Sequence, residues 1–338
     1  MILMANKTPV QNNKTESRKK DHVDIVVDKG AQYSKTTGLE KFDFVHNALP
    51  EISFDEIDLS TTFFGKKLRY PIMVVGMTGG YSDATKINRE VAKVCEKFGF
   101  AMGLGSQRAM IENPDLTKTY SVRDVAPNIS LIGNLGAAQL SKYSVKQIDD
   151  MLCKVGADGL AIHLNALQEV IQPEGDLDFR GVLGKIETLC EDLDYPVLVK
   201  ETGAGLSQDV ALKLRDAGVK WLDVSGAGGT SWSKVEYLRG GKIEGFSDWG
   251  IPTADAIIEC RGVLPLVASG GIRNGVDAAK CITLGADIAG FAYPFIKAID
   301  EGNQDELASQ IVRQMKVCAF LTGSKNLSDL KKAKMRLL

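Results

Sequence analysis

The stretch Gly159-Leu160-Ala161-Ile162, followed at once by His163-Leu164-Asn165-Ala166-Leu167-Gln168-Glu169, joins a short apolar run to a dense group of polar side chains. The apolar run predicts a buried β-strand. The residues after it include a His, an Asn, a Gln and a Glu, which can donate hydrogen bonds, move a proton and bind a hard cation. In parallel α/β barrels, active sites are built at the carboxyl ends of the strands. This stretch therefore predicts a barrel strand whose end carries reactive groups.

Short apolar runs of this kind recur along the chain, with amphipathic helical patterns between them. The predicted strands are residues 72–75, 100–104, 130–132, 159–162, 197–199, 221–224, 266–268 and 288–292. The predicted helices are residues 83–98, 145–155, 182–193, 208–217, 253–260 and 276–284. Eight strands that alternate with helices predict a parallel (β/α)₈ TIM barrel rather than an open, doubly wound sheet.

Several segments lie outside this alternation. Residues 115–125, after the second strand, carry only a weak helical pattern, and residues 304–321 predict an added C-terminal helix. Residues 1–16 are polar and predicted to be disordered. Residues 17–338 are predicted to form one domain, because no linker rich in Pro, Gly or Ser divides them. The segment before the first strand contains Phe42-Asp43-Phe44-Val45 and is expected to cover one barrel end or to reach the active site.

The composition is that of an ordinary globular protein. The chain has 338 residues, 44% of them hydrophobic, and a net charge of −2, which gives no reason to expect a nucleic-acid partner. No apolar stretch is long enough to span a membrane, and the start lacks the pattern of a signal peptide. The cysteines, among them Cys95, Cys153 and Cys281, form no CxxC pair and are predicted to be small core residues in a reducing cytoplasm.

Glycines gather at the predicted carboxyl ends of the strands, in GMTGG at 76–80, GAG at 203–205, GAGGTS at 226–231 and SGGIR at 269–273. Glycine lets the backbone approach a ligand and present bare N–H groups, although turns alone also require it. In barrels the seventh and eighth loops commonly bind a phosphate. Residues 269–273 with Ala292-Tyr293 therefore predict a phosphomonoester site. A P-loop and a Rossmann dinucleotide motif are both absent from the sequence.

Three other strand ends carry polar groups. Lys200 ends the fifth strand after three apolar residues and is expected to point into the site, as a Schiff-base lysine or as a positive charge beside an electron-rich cofactor. A surface lysine is the alternative. Asn134 closes the third strand, and Ser106-Gln107-Arg108 follows the second, so that both offer hydrogen-bond donors to the same mouth.

Together these motifs resemble the type 2 isopentenyl-diphosphate isomerases, which are FMN-dependent (β/α)₈ barrels that interconvert isopentenyl diphosphate and dimethylallyl diphosphate. The matching motifs, in the family's order, are RKKDH at 18–22, GMTGG at 76–80, GSQR at 105–108, GNLG at 133–136, HLN at 163–165, QE at 168–169, PEGD at 173–176, KE at 200–201, DVSG at 223–226, GGT at 228–230 and GGIR at 270–273. The glycine-rich motifs are shared with other FMN barrels, whereas the basic segment and the HLN-to-PEGD stretch are more specific. Lys20 departs from the pattern, where an acidic residue is more usual.

The resemblance implies a role for each motif. The residues it implies for FMN are Met77, Thr78, Gly79, Ser106, Asn134, Lys200, Ser225, Thr230, Gly271, Arg273, Ala292 and Tyr293. Those it implies for the substrate are Arg18, Lys19, His22, Ser106, Arg108, His163, Asn165 and Gln168. Gln168, His163 and Asn165 would take part in catalysis, and Glu169 would bind Mg²⁺ that bridges to the diphosphate. A highly charged diphosphate does call for Arg, Lys and a hard cation on carboxylate oxygen.

The resemblance also implies the form of the reaction. Moving a double bond adds one proton and removes another, so the net reaction needs no oxidant, yet the family's flavin is active only when reduced. NADPH would serve only to prime the flavin. The protein would be a homo-oligomer, a tetramer or an octamer.

Two other functions stay open at this point. An FMN-dependent 2-hydroxy-acid oxidase or dehydrogenase would need a His base late in the barrel, and the loop after Thr230 offers none. A non-catalytic flavin or prenyl-diphosphate binding protein would not need Gln168 and Glu169.

Overall fold

The computed structural model describes residues 19, 21–22, 24–26 and 30–338. Its strands, in chain order, are β1 Phe42–Phe44, β2 Thr61–Phe63, β3 Lys66–Leu68, β4 Ile72–Val74, β5 Ala101–Gly103, β6 Leu131–Gly136, β7 Gly159–His163, β8 Val197–Lys200, β9 Trp221–Asp223, β10 Leu266–Ala268, β11 Ile288–Phe291 and β12 Met335–Leu337. Strands β4 to β11 close into a barrel in chain order, and every neighbouring pair is parallel. The predicted TIM barrel is confirmed. Residues 1–16 lie outside the described residues.

Helices surround this barrel. Those of the described chain are Ala84–Phe98, Arg108–Glu112, Val145–Val155, Ala166–Ile171, Val182–Asp192, Gln208–Asp216, Trp232–Leu238, Thr253–Cys260, Gly275–Leu284, Tyr293–Glu301, Gln304–Leu321 and Leu327–Leu330. Local chemistry fixes their ends. In Val145–Val155, Ser144 and Gln147 form a capping box at the start, and Gly156 ends the helix in the left-handed conformation. The predicted helices agree with these bounds to within one residue, apart from the weak one.

The weak helix predicted over residues 115–125 is wrong. The chain forms a short helix at Arg108–Glu112 and then a 3₁₀ segment, Pro114–Thr119. Thr119 donates from its hydroxyl to the carbonyl of Leu116 at 2.7 Å. Hydroxyl groups that bind nearby backbone, together with β-branched side chains, compete with a regular α-helix here.

A hairpin closes the amino-terminal end of the barrel. Strands β2 and β3 pair antiparallel around a two-residue turn, Phe64-Gly65, in which both residues have positive φ, 45° and 74°. Phe63 is fully buried, and its ring centroid lies 4.6 Å from that of Trp221 at the start of β9. It packs with apolar side chains of the barrel interior, such as Ile132 and Val267. The segment before the barrel therefore covers one barrel end, as one of the two expectations had it.

The same segment also reaches the other end of the barrel. Residues 19, 22 and 26 line the cavity at the carboxyl ends of the strands. Between these two parts, β1 pairs antiparallel with β12, the last strand of the chain. The N-terminal extension is thus fixed at three places on the barrel.

All six cysteines are free thiols, as predicted. Cys95 and Cys281 are buried core residues, but Cys153 is exposed, so its assignment to the core is wrong. The buried face of its helix is formed by Ile148, Met151, Leu152 and Val155, and Cys153 falls beside that face. None of the described helices is long and apolar enough to cross a membrane.

Candidate active site

A cavity of about 520 Å³ opens at the carboxyl ends of the barrel strands. Every predicted site residue that the structure describes lines it: Lys19, His22, Met77, Thr78, Gly79, Ser106, Arg108, Asn134, His163, Asn165, Gln168, Glu169, Lys200, Ser225, Thr230, Gly271, Arg273, Ala292 and Tyr293. Arg18 lies outside the described residues. The structure therefore brings the predicted residues together, while their individual roles stay predictions.

One end of the cavity has the features of a phosphate site. The helix Tyr293–Glu301 begins there, and its N-cap residue Ala292 provides no side-chain cap. Pro294 has no N–H, and Phe295 and Ile296 donate to the Ala292 carbonyl, so Tyr293 carries the N–H of the first turn that can point to a ligand. Arg273 lies beside it, with its guanidinium 4.9 Å from the centre of the Tyr293 ring. Burial lowers the pKa of Arg273. Within the described chain no carboxylate forms an ion pair with Arg273, so this end carries a half-buried cation that calls for an anion.

Glycines allow the loops at this end to stack closely. A Cβ atom on Gly229, after β9, would lie 2.5 Å from the backbone nitrogen of Gly271, after β10. Gly271 also has a φ of +74°, which side chains rarely adopt. Here the glycine clusters are needed for the close packing of two loops around the mouth, in addition to any contact with a ligand.

The wall formed by β4, β6 and β7 contains polar atoms in defined orientations. The Thr78 hydroxyl is buried and without a hydrogen-bond partner. Asn134 donates from Nδ2 to the carbonyl of Leu104 at 2.9 Å, which turns its Oδ1 toward Nδ1 of His163, 2.8 Å away. His163 thus donates from Nδ1. Burial, with help from the charges of Lys200 and Lys19, lowers the pKa of His163 to about 3, so the ring is neutral.

Lys200 lies in the floor of the cavity and is 9% exposed, so it is no surface lysine. Its ammonium donates to the carbonyl of Glu201. Burial raises the pKa of Asp223 and raises the pKa of Glu201 to about 7, although the charge of Lys200 opposes both shifts. One cation therefore faces two buried carboxyl groups that hold their protons more tightly than usual.

The metal candidate Glu169 lies on the short helix Ala166–Ile171, which is not among the predicted helices. Its Oε1 accepts from Asn165 Nδ2 at 3.0 Å, and its Oε2 accepts from the backbone of Asp176 at 2.8 Å. Asn165 Oδ1 is buried and has no partner. Among the described residues no group of three or more His, Cys, Asp or Glu can hold a metal. A cation here would need oxygen atoms from a ligand or water.

Glu236 is the main residue that the sequence analysis missed. It is fully buried, and its Oε1 accepts from Gln168 Nε2 at 2.8 Å and lies 2.9 Å from His22 Nε2. Arg239 donates to Oε2 at 2.8 Å. Burial alone would raise the pKa of Glu236, but these three partners outweigh it and hold the pKa at about 2. This carboxylate therefore fixes the orientation of two predicted site residues.

The cations on this side of the cavity already have oxygen partners. Arg108 pairs with Glu112 at 2.7 Å, and Lys142 pairs with Asp176 at 2.7 Å. Lys19 donates to the carbonyls of Gly79 and Ser106, at 2.6 and 2.9 Å, and to the hydroxyl of Tyr120 at 2.9 Å. These contacts anchor the N-terminal segment across the ends of β4 and β5.

Known proteins are similar in sequence to this chain over nearly its whole length. The isopentenyl-diphosphate delta-isomerase of Pyrococcus furiosus is 45% identical over 341 residues, which cover 95% of this chain and 86% of the relative. That of Rickettsia felis is 45% identical and covers 98% of this chain and 99% of the relative. The chain belongs to the isopentenyl-diphosphate delta-isomerase family.

A broader relationship includes the flavin barrels. The profile of the FMN-dependent dehydrogenase family matches residues 160–337, and the chain belongs to that wider family as well. A lactate oxidase of Pediococcus acidilactici superposes with a TM-score of 0.68 at 15% identity, over 98% of this chain and 96% of that chain. A mutant flavocytochrome b2 with pyruvate bound superposes with a TM-score of 0.68 at 17% identity, over 97% of this chain and 85% of that chain. At these identities the likeness shows the fold alone.

The histidines of the cavity distinguish this member of the isomerase family from the expected site of a hydroxy-acid oxidase. Of the described residues that line the cavity, His22 and His163 are the histidines. The segment after Thr230 contributes Trp232 to the lining and Glu236 behind it. The base that the alternative function would need late in the barrel is missing from the described site.

Proposed function

We propose that this chain interconverts isopentenyl diphosphate and dimethylallyl diphosphate, with reduced FMN in the cavity and Mg²⁺ at Glu169. One observation carries the proposal. The buried carboxylate of Glu169 and the unpartnered oxygen of Asn165 lie in the same cavity as Arg273, a cation without a carboxylate partner. A chain of the isomerase family thus has one place for a metal-bound diphosphate and a second place for a phosphate.

The residues at the second place fit the phosphate of FMN. Arg273 and the Tyr293 N–H at the start of the helix Tyr293–Glu301 would hold it, and the Thr78 hydroxyl offers a further unused hydrogen-bonding group along the wall. Lys200 would lie near the ring. FMN, when bound and reduced, would supply an electron-rich ring with a nitrogen that can exchange a proton.

The first place fits a diphosphate held through a hard cation. Mg²⁺ usually binds one or two protein oxygens and completes its shell with phosphate oxygens and water. Glu169 and Asn165 Oδ1 supply such oxygens. Arg108, Lys19 and His22, together with Arg18, would surround the diphosphate.

The remaining polar groups would orient the reacting carbons. Gln168 is fixed by its bond to Glu236, so its amide points in one direction beside the substrate. An amide is a poor proton donor, and we assign Gln168 positioning or relay of the proton. His163, neutral and with Nδ1 committed to Asn134, keeps Nε2 as an acceptor.

Three further statements belong to the proposal. NADPH acts only as the reductant that primes the flavin. The protein is a homo-oligomer, a tetramer or an octamer, which light scattering on the purified protein would establish. It works in the cytoplasm, and its free thiols fit a reducing compartment.

The test is an anaerobic incubation with isopentenyl diphosphate, FMN, NADPH and Mg²⁺, followed by product analysis. We expect a yellow, FMN-binding protein, formation of dimethylallyl diphosphate, and almost no NADPH consumed per product, because the reaction is redox-neutral. Dithionite should replace NADPH. A protein that takes up no FMN, or that oxidises NADPH stoichiometrically with product, contradicts the proposal. Oxidation of lactate with an electron acceptor would instead support the hydroxy-acid oxidase.

A further inference from the structure

Gln32 joins two residues on opposite sides of the phosphate end. Its Oε1 accepts a hydrogen bond from Nη2 of Arg273, after β10. Its Nε2 donates to Oγ1 of Thr230, after β9, at 3.3 Å. Arg273 and Thr230 both line the cavity, whereas Gln32 stands behind them. Nothing in the sequence analysis singled out Gln32.

The backbone around Gln32 is fixed to the same loop. Tyr33 donates from its backbone to the carbonyl of Gly229, and Ser231 donates from its backbone to the carbonyl of Ala31, both at 2.9 Å. These bonds frame an antiparallel bridge between Gln32 and Thr230. Gln32 is therefore held by main-chain contacts that do not depend on its side chain.

The contact with Gln32 leaves Arg273 able to bind an anion. A guanidinium has five N–H donors in one plane, and Gln32 uses one of them. The ring of Tyr293 faces the guanidinium at 4.9 Å, so that the plane is restrained on its face by the ring and at its edge by the amide. The other donors stay available beside the start of the helix Tyr293–Glu301.

We propose that Gln32 is a positioning residue, which holds the Arg273 guanidinium in the orientation that binds the phosphate of the flavin cofactor. This inference rests on the proposed function, because it needs the flavin in the cavity. It also gives the N-terminal segment a second task. The segment that carries Lys19 and His22 to the diphosphate side supports the phosphate contact of the cofactor at the other side.

Affinities for two flavins test this directly. FMN carries the phosphate and riboflavin lacks it, so the ratio of their dissociation constants measures the phosphate contact alone. For Gln32→Ala in the full-length, flavin-free protein, we expect FMN binding to weaken about tenfold, the usual scale for a hydrogen bond to a charged group. Riboflavin binding should stay unchanged. Gln208→Ala, at an exposed glutamine that starts the outer helix Gln208–Asp216, is the matched control and should change neither constant.

A second variant separates positioning from simple docking of the segment. In Gln32→Glu the carboxylate can still accept from Arg273, so the segment stays docked, but its charge competes with the phosphate for the guanidinium. We expect FMN to lose at least as much affinity as in Gln32→Ala, with riboflavin again unchanged. Equal losses for both flavins, or no loss for FMN in either variant, would overturn the role of Gln32. A wild-type protein that binds neither flavin would instead overturn the proposed function.

Discussion

The two ends of the cavity differ in whether their cations have carboxylate partners. At the phosphate end, the Arg273 guanidinium has a ring and an amide for neighbours, and within the described chain no carboxylate forms an ion pair with it, although Asp277 accepts from its backbone N–H at 3.0 Å. At the diphosphate end, the cations Arg108 and Lys142 are paired with Glu112 and Asp176. The cation at the first end is therefore open to an anion, whereas these two cations at the second end already have carboxylate partners.

This difference matches two kinds of ligand. A resident cofactor needs affinity, and a cation without an ion-pair partner next to a helix N-terminus would provide it. A substrate that must leave as product needs moderate affinity. Cations that already have carboxylate partners give moderate affinity, because a diphosphate with its metal must displace those carboxylates before it can bind the cations. Five experiments test whether the two ends of the cavity differ in this way.

The largest effect is expected at Glu169. Glu169→Gln should keep the fold and FMN binding, since neither needs its charge. Turnover should fall by about two orders of magnitude or more, the scale of one lost transition-state contact of about 3 kcal/mol. Steady-state kinetics over a range of Mg²⁺ concentrations would show it, with at most partial rescue. Gln168→Ala should lower turnover more than binding. Wild-type turnover of Glu169→Gln would move the metal site to Asp176 or Glu201.

Glu236 should give the next largest effect. Glu236→Gln removes the charge that orients Gln168 and His22 and leaves Arg239 without its buried partner. We expect turnover to fall tenfold to about a hundredfold, as for loss of a hydrogen bond to a charged group. FMN affinity should stay unchanged, since Glu236 lies on the diphosphate side. Parallel kinetics and flavin titration decide, and a matching loss of FMN affinity would remove the distinction between the two ends.

Arg273 tests the phosphate end. For Arg273→Gln we expect FMN to bind about tenfold or more weakly, because the phosphate loses its charge-assisted hydrogen bonds. Raising the salt concentration should weaken FMN binding in the wild type more than in the variant. Fluorescence titration of FMN at two ionic strengths measures both. An unchanged dissociation constant would mean that the phosphate lies elsewhere.

Lys142 should have a small effect. The side chains of Lys142 and Asp176 are 47% and 31% exposed, and exposed pairs contribute about 1 kcal/mol or less. Lys142→Ala should therefore raise the KM for isopentenyl diphosphate by about fivefold at most, with little change in kcat. Lys146→Ala, which breaks the exposed pair with Asp150, is the control and should leave KM as it is. A loss as large as that of Glu169→Gln would make Lys142 part of the reaction.

The smallest effect concerns stability and pH. The folded pKa of Glu201, about 7, lies above its ordinary 4.5, so its contribution to stability is present below about 4.5 and is lost as the pH rises to about 7. The folded pKa of His163, about 3, lies below 6.5, so its contribution is present above about 6.5 and is lost as the pH falls. Between about pH 4.5 and 6.5 the two slopes oppose each other.

Single variants should separate the pH dependence of stability that is due to Glu201 from that due to His163. Urea unfolding of the flavin-free protein at pH 5 and at pH 6.5 should give stability that rises with pH in Glu201→Gln and falls with pH in His163→Asn, relative to the wild type. If both variants keep the wild-type dependence, these two groups do not titrate as their burial indicates.

The barrel was accessible from sequence because its strands are apolar runs buried on both faces. The strand ends at Asn134 and His163 show the limit of that pattern. Both residues are polar, yet β6 and β7 continue through or up to them, because the barrel buries them against each other. Tertiary contacts of this kind leave no periodic signal, so the predicted strands that correspond to β6 and β7 end too early.

The residues that line the cavity could be predicted from motifs, but the residues that hold them in place through hydrogen bonds could not. Glu236 is 68 residues from Gln168 and looks like one polar position of an amphipathic helix. Gln32 is 241 residues from Arg273 and belongs to no motif. Both act through contacts between distant segments, which only the folded chain brings together. The position of Glu169 on a helix was missed because Ala166–Ile171 is too short for a periodic pattern.

The ladder between β1 and β12 has a consequence for the whole N-terminal segment. Strand β1 pairs with the last strand of the chain, and Lys19 lies 23 positions before Phe42, the first residue of β1. Lys19 and His22 therefore belong to a segment that is fixed to the same molecule both at β1 and at Gln32. Their contacts with the cavity are then intramolecular, and the fraction of molecules that make them is independent of protein concentration.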